Sequence, residues 1–173
     1  EDAIHYLERG LELGFESEEV RLTALFNLAA AYGLLERFEE SLRLNQEALV
    51  LESKLHGEKT ALAADLLGNM SGTYHKNGDC VRAIPLRRQA LEISTSRLGA
   101  EHPRSVFHLS RLAGTLIRCG ELQEAEQLAR RCVEFSRDSD DRCAFSGDLY
   151  VLAQVLEVTE RYQEAEPLYR EAA

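Results

Sequence analysis

The chain repeats itself. The segments "FEESLRLNQEAL" (Phe38 to Leu49), "CVRAIPLRRQAL" (Cys80 to Leu91), "LQEAEQLARRCV" (Leu122 to Val133) and "YQEAEPLYREAA" (Tyr162 to Ala173) align without a gap. Small residues fall in register at Ser41, Ala83, Ala125 and Ala165, and again seven residues later at Ala48, Ala90, Cys132 and Ala172. The opening "EDAIHYLERGLEL" fits as an earlier partial copy through Ala3 and Gly10, so that successive offsets are 38, 42, 42 and 40. A period of this length means that one supersecondary unit is being repeated. No single copy can bury its apolar face alone, and stacking neighbours supply the core.

Each segment has a matching partner upstream: "LFNLAAAY" (Leu25 to Tyr32), "LGNMSGTY" (Leu67 to Tyr74), "LSRLAGTL" (Leu109 to Leu116) and "LYVLAQVL" (Leu149 to Leu156). Large apolar residues stand at i, i+3 and i+7 with a small one at i+4, which predicts one apolar helical stripe with a slot for close helix approach. Gly78 and Gly120 follow the stripe, where a left-handed residue would end the helix. Each unit is therefore predicted as two helices, A then B, joined by a tight turn. Pro85 and Pro167 are predicted to stand about four or five residues into helix B, near its first turn, where few or no intrahelical bonds are lost and proline helps set the helix start.

This pattern resembles the tetratricopeptide repeat, in the longer 42-residue form of kinesin light chains. The residues that carry the likeness are "ALEISTSRLGAEHPRSVFHLSRLAGTLIRCGELQEAEQLARRCVE" (Ala90 to Glu134), with its "LGAEHP" linker, and "ERYQEAEPLYREAA", with its "EAEPLY" helix start. The resemblance implies an all-α fold, a right-handed superhelix of four helix pairs plus one leading helix, with helix A lining the concave side. One array would fill residues 1–173: a partial repeat (helix B only) over 1–14, then repeats over 18–56, 60–98, 102–138 and 142–173. The sequence departs from the family pattern at several points. "LHGEKT" (Leu55 to Thr60) lacks the linker proline, "SRDSDDRC" is acidic, Leu116 and Leu156 replace an aromatic residue, and Glu36 and Glu160 occupy the turn-glycine position.

Composition agrees with a helical chain: 45% of the residues are hydrophobic, 29% are charged, and only three are proline. No apolar run reaches the length that spans a bilayer. Met70 is the only methionine, so the sequence reads as a piece of a longer or processed protein. Cys80, Cys119, Cys132 and Cys143 form no CxxC pair, which argues against a zinc site. Reduced thiols and a cytoplasmic location are expected, with a disulfide framework as the weaker reading. The net charge of −10 argues against a general nucleic-acid binder. Residues 64–133 carry ten Lys/Arg against seven Asp/Glu, a local +3, leaving −13 elsewhere.

Helical spacing selects the surface of helix A. The residue before the second apolar position is Asn27, Asn69, Arg111 or Val151, and seven later come Leu34, Lys76, Arg118 and Val158. Residues seven apart share a face, so Arg104, Arg111 and Arg118 form one basic stripe. The family likeness implies that Asn27 and Asn69 hold the backbone of an extended peptide, a task suited to an amide that both donates and accepts. Arginine forks onto carboxylates, so Lys76, Arg104, Arg111 and Arg118 are expected to select acidic side chains. One such arginine alone reads as a solvated surface charge; the aligned set reads as a peptide contact. Phe26 and Tyr150 are candidates either for a pocket or for the core. Gly72 and Gly114 would serve either close approach of a ligand or tight A–B packing.

No phosphate loop, metal motif or nucleophile elbow is present. His75 and Cys80 make a weak base–nucleophile suggestion, and Cys80 also fits the apolar slot that Phe38, Leu122 and Tyr162 fill. The expectation is a non-catalytic module without cofactor or metal that binds a protein or peptide partner with acidic residues, as an adaptor or scaffold. The alternatives are a self-associating scaffold that uses helix B surfaces and the array ends, and a regulatory portion of a larger protein.

Overall fold

Every A helix begins with the same device. Ser17, Thr60, His102 and Asp141 each stand just before a helix, and each side chain accepts a hydrogen bond from the backbone N–H of Glu19, Ala63, Arg104 or Ala144. A cap of this kind satisfies an orphan donor and contributes about 1 kcal/mol. Asp141 shows why the acidic linker is tolerated: it supplies the cap that a serine or threonine gives elsewhere.

The computed structural model describes residues 2–173, with side chains from Ile4 onward; the Ala3 side chain of the partial copy lies outside the described residues. The helices are α1 (Asp2–Leu13), α2 (Glu18–Leu34), α3 (Phe38–His56), α4 (Ala61–Lys76), α5 (Cys80–Leu98), α6 (Pro103–Cys119), α7 (Leu122–Ser136), α8 (Arg142–Val158) and α9 (Tyr162–Ala172). No strand occurs among the described residues. α2, α4, α6 and α8 are the A helices, and α3, α5, α7 and α9 are the B helices; α1 is a leading helix. The all-α repeat that the sequence predicts is the fold observed.

The four A–B turns share one geometry. The backbone N–H of Arg37, Asp79, Glu121 and Arg161 donates to the carbonyl five residues back, on Tyr32, Tyr74, Leu116 and Leu156, at 2.8 to 3.0 Å. That bond needs a left-handed residue between the helices. Gly78 and Gly120 supply it with φ of 77° and 82°, but Glu36 and Glu160 adopt φ of 59° and 61° with full side chains.

The chain divides into two compact units, Glu1–Ile93 and Ser94–Ala173. In the first, Leu22, Leu25, Leu28, Ala29 and Tyr32 of α2 pack with Leu44 and Ala48 of α3 and Leu66 of α4, and Ile4, Leu7 and Leu11 of α1 close one side. In the second, the corresponding residues Leu109, Leu112, Ala113 and Leu116 of α6, and Leu149, Leu152, Ala153 and Leu156 of α8, are all buried. Helices A and B cross at their small residues. Ser41 Oγ donates to the Ala29 carbonyl at 2.8 Å, and in the next pair the roles exchange, Ser71 Oγ donating to the Ala83 carbonyl at 2.7 Å. In the later repeats the corresponding small residues, Ala113, Ala125, Ala153 and Ala165, are all buried.

One sequence expectation is refined and one needs correction. Pro85 and Pro167 stand inside α5 and α9, each at the sixth helical residue. A proline there forfeits the bond to the carbonyl four residues back, on Val81 or Gln163. Both prolines and both of those residues are exposed, so water takes the place of the missing donor. The thiols also differ from expectation: Cys132 and Cys143 are free, whereas Cys80 and Cys119 are disulfide-bonded.

Candidate peptide-binding face

Within each unit the A helices touch one another: α2 meets α4, and α6 meets α8. The B helices α7 and α9 do not meet among the described residues, so in the second unit the A side is the closed side. The outward residues of the A helices are therefore neighbours across a unit.

On α2, Asn27 is exposed, and on α4, Asn69 is half-buried and Lys76 exposed. Neither asparagine side chain is hydrogen-bonded to another described residue. Lys76 already has a partner that the sequence did not reveal. Its Nζ donates to the Gly33 carbonyl at 3.1 Å, placing a cation against the carbonyl end of α2. Leu34, in register with Lys76, is exposed.

On α6, Arg104, Arg111 and Arg118 are all exposed, one every two turns. Several arginines on other surfaces are committed to carboxylates. Arg21 meets Glu47 at 2.6 Å, Arg37 meets Glu40 at 2.9 Å, and Arg170 meets Glu166 at 2.5 Å. Arg161 bridges α9 to α7 through Glu126 at 2.8 Å and also holds Glu164. By contrast, neither Arg111 nor Arg118 is ion-paired with another described residue.

Between Arg104 and Arg111 on the same face stands Phe107, 56% exposed, its ring edge-on to His108 at 5.5 Å. The sequence reading missed it. Its signal was available: Phe107 is three residues after Arg104 and four before Arg111, which is the spacing of one helical face. Phe26 lies half-buried against the first unit's core. Tyr150 remains 51% exposed, packed edge-on against Tyr169 at 5.5 Å, and the Tyr169 hydroxyl donates to Glu157 at 2.6 Å. A Cβ on Gly114 would meet nothing within 4 Å, and one on Gly72 would reach only Arg87 Nη2 at 3.7 Å. Tight A–B packing therefore does not require either glycine.

Cys80 is disulfide-bonded and offers no thiol to His75. Cys132 is fully buried, and burial pushes its thiol well above the usual range. Asp148 of α8 is buried beside Ser110 of α6 and Ser136 of α7; desolvation raises its pKa while the two hydroxyls act to lower it. No group of three metal-ligating side chains occurs among the described residues, and no described helix is long and apolar enough to cross a membrane.

The profile of the tetratricopeptide repeat matches residues 19–96 and 62–138. No curated protein matches the chain. A crystal structure of nearly identical repeats from a putative kinesin light chain of Podosopora anserina superposes at a TM-score of 0.82, with 22% identity over 99% of this chain and 84% of that one. BtubC (BKLC) of P. vanneervenii gives 0.81 at 18% identity, covering 98% and 68% of the two chains. PlcR of Bacillus thuringiensis, solved in complex with the peptide PapR7 and DNA, gives 0.81 at 17%, covering 99% and 61%. At these identities the likeness is one of fold.

Proposed function

Because the chain belongs to the tetratricopeptide repeat family, we propose that it is a non-catalytic protein-interaction module whose exposed A-helix faces take an extended, acidic segment of a partner protein. In the first unit, Asn27 and Asn69 offer a peptide backbone amides that no described residue occupies, and Lys76 retains two donors beyond the one given to Gly33. In the second unit, Arg104, Arg111 and Arg118 of α6 receive carboxylates. The observation that carries this reading is the alignment: Arg111 and Arg118 stand two turns apart on one exposed face of α6, neither ion-paired with another described residue, so both donors are available to a ligand. PlcR, of the same fold, is solved in complex with a peptide, which supports the general mode of binding.

The test is the double variant Arg111→Glu, Arg118→Glu against an acidic peptide, read by fluorescence anisotropy beside a thermal melt. Loss of two charge contacts and their replacement by repulsion is expected to weaken binding by about tenfold or more. The melting temperature should hardly move, since exposed unpaired charges contribute little to stability. Unchanged affinity would remove α6 from the ligand site.

A further inference from the structure

The A side of the second unit changes character from one helix to the next. α6 and α8 meet, and the Ser110 hydroxyl of α6 donates to the buried Asp148 of α8, which fixes how the two helices lie along each other. The residues of α8 equivalent to Arg111, Gly114 and Arg118 are Val151, Gln154 and Val158. Val151 and Gln154 are half-buried, and Val158 is 54% exposed. A basic strip thus runs beside an uncharged one. The Gln154 amide is not hydrogen-bonded to another described residue. It offers a passing backbone the same donors and acceptor that Asn27 and Asn69 offer in the first unit.

Gly114 stands between Arg111 and Arg118 on the exposed side of α6. Glycine weakens a helix interior relative to alanine, yet no neighbour requires it here, since a Cβ would meet nothing within 4 Å. The space it leaves lets a ligand approach α6 closely between the two guanidinium groups.

Spacing across this face selects the ligand. Packed helices lie about 8–10 Å apart. With Asp148 level with Ser110, Gln154 falls roughly 3 Å further along than Gly114. An extended segment with three residues per turn and a rise of about 3.1 Å brings residues i and i+3 to one side, about 9 Å apart. We propose, resting on the acidic-segment reading above, that the second unit recognises a carboxylate and an aliphatic side chain three residues apart. The carboxylate lies over Gly114 between Arg111 and Arg118. The aliphatic side chain lies between Val151 and Val158, and Gln154 holds the backbone beside it.

The experiment uses the 173-residue chain and three labelled peptides that are otherwise identical: glutamate and leucine three residues apart, glutamate and alanine three apart, and glutamate and leucine adjacent. The first should bind about tenfold tighter than either of the others. Val151→Ser with Val158→Ser should erase that preference and leave the dependence on Arg111 and Arg118 intact. Gly114→Leu should weaken the first peptide about tenfold with no loss of melting temperature. Equal affinity for the three peptides would overturn the inference, as would a preference that survives the serine pair or indifference to Gly114→Leu. Those results, with Arg111→Glu and Arg118→Glu still weakening all three peptides, would leave the acidic-segment reading standing. If that arginine variant changes nothing, or no peptide binds, both fall together. A mass that rises with protein concentration and falls in the serine pair would give the α8 strip to a second copy of the chain and overturn the inference.

Discussion

Glu36 and Glu160 are strained where Gly78 and Gly120 are not. All four residues occupy the same left-handed position and permit the same backbone bond across the turn. For a residue with a Cβ, that conformation costs roughly 1–2 kcal/mol, part of which glycine returns as unfolded-state entropy. Glu36→Gly and Glu160→Gly should therefore each stabilise the fold by about 0.5–1 kcal/mol, measured by denaturant melts, whereas Gly78→Glu should destabilise it. The turn position itself was legible in the sequence, because four copies in register show where glycine belongs even in the two that lack it. Lys76 was not legible in the same way. Its spacing places it on the expected face, but its partner, the Gly33 carbonyl, belongs to another repeat, and no spacing rule within one helix reveals a donor spent on a neighbour.

At the scale of elements, the linker between the first two full repeats is held by a chain of side chains. His56, in the last turn of α3, sits between two carboxylates: Nδ1 is 2.8 Å from Glu52, and Nε2 is 3.1 Å from Glu19 of α2. Glu52 also accepts from the Thr60 hydroxyl at 2.5 Å, and Thr60 caps α4. A neutral imidazole has one N–H, so both contacts are satisfied only by the imidazolium. The hydrogen bond to Glu52, then the charges of Glu19 and Glu52, raise the pKa of His56 above its usual 6.5. The sign follows from linkage: the contribution is complete below the unfolded pKa and is lost as pH rises through the higher folded value. The melting temperature of the native chain should thus exceed that of His56→Gln by most near pH 6, with the gap closing by about pH 9. A gap that widens with pH would exclude the imidazolium. Periodicity did not announce this latch, since Glu52 is an acid buried in a position that the repeat pattern leaves open. The same holds for Asp148, whose register is filled by Ala24 and Leu66 in the first unit. For the prolines, the register of the repeats located helix B, and the bond across the preceding turn fixes its first residue, which starts α5 at Cys80 and α9 at Tyr162 and puts each proline five residues in.

Over the whole molecule, charge is arranged against its own average. A chain of net −10 concentrates a local +3 in residues 64–133 and surrounds its first helices with glutamate. Scattered charges would favour solubility equally well, so the segregation matters for which partners approach and how fast. The unpaired pair Arg111 and Arg118 lies in the basic stretch, so this face should favour acidic ligands. These charges are exposed, where salt screens effectively, the Debye length falling from about 10 Å at 0.1 M to about 3 Å at 1 M. Two or three exposed ion pairs contribute roughly 1–2 kcal/mol together. Binding of an acidic peptide should accordingly weaken about tenfold between roughly 0.05 and 0.5 M salt, and Arg111→Glu with Arg118→Glu should flatten that dependence. Isothermal titration at several ionic strengths measures both. A salt-independent affinity would mean that apolar contact, with Phe107 the exposed candidate on the same face, carries the recognition and that the arginines only line it.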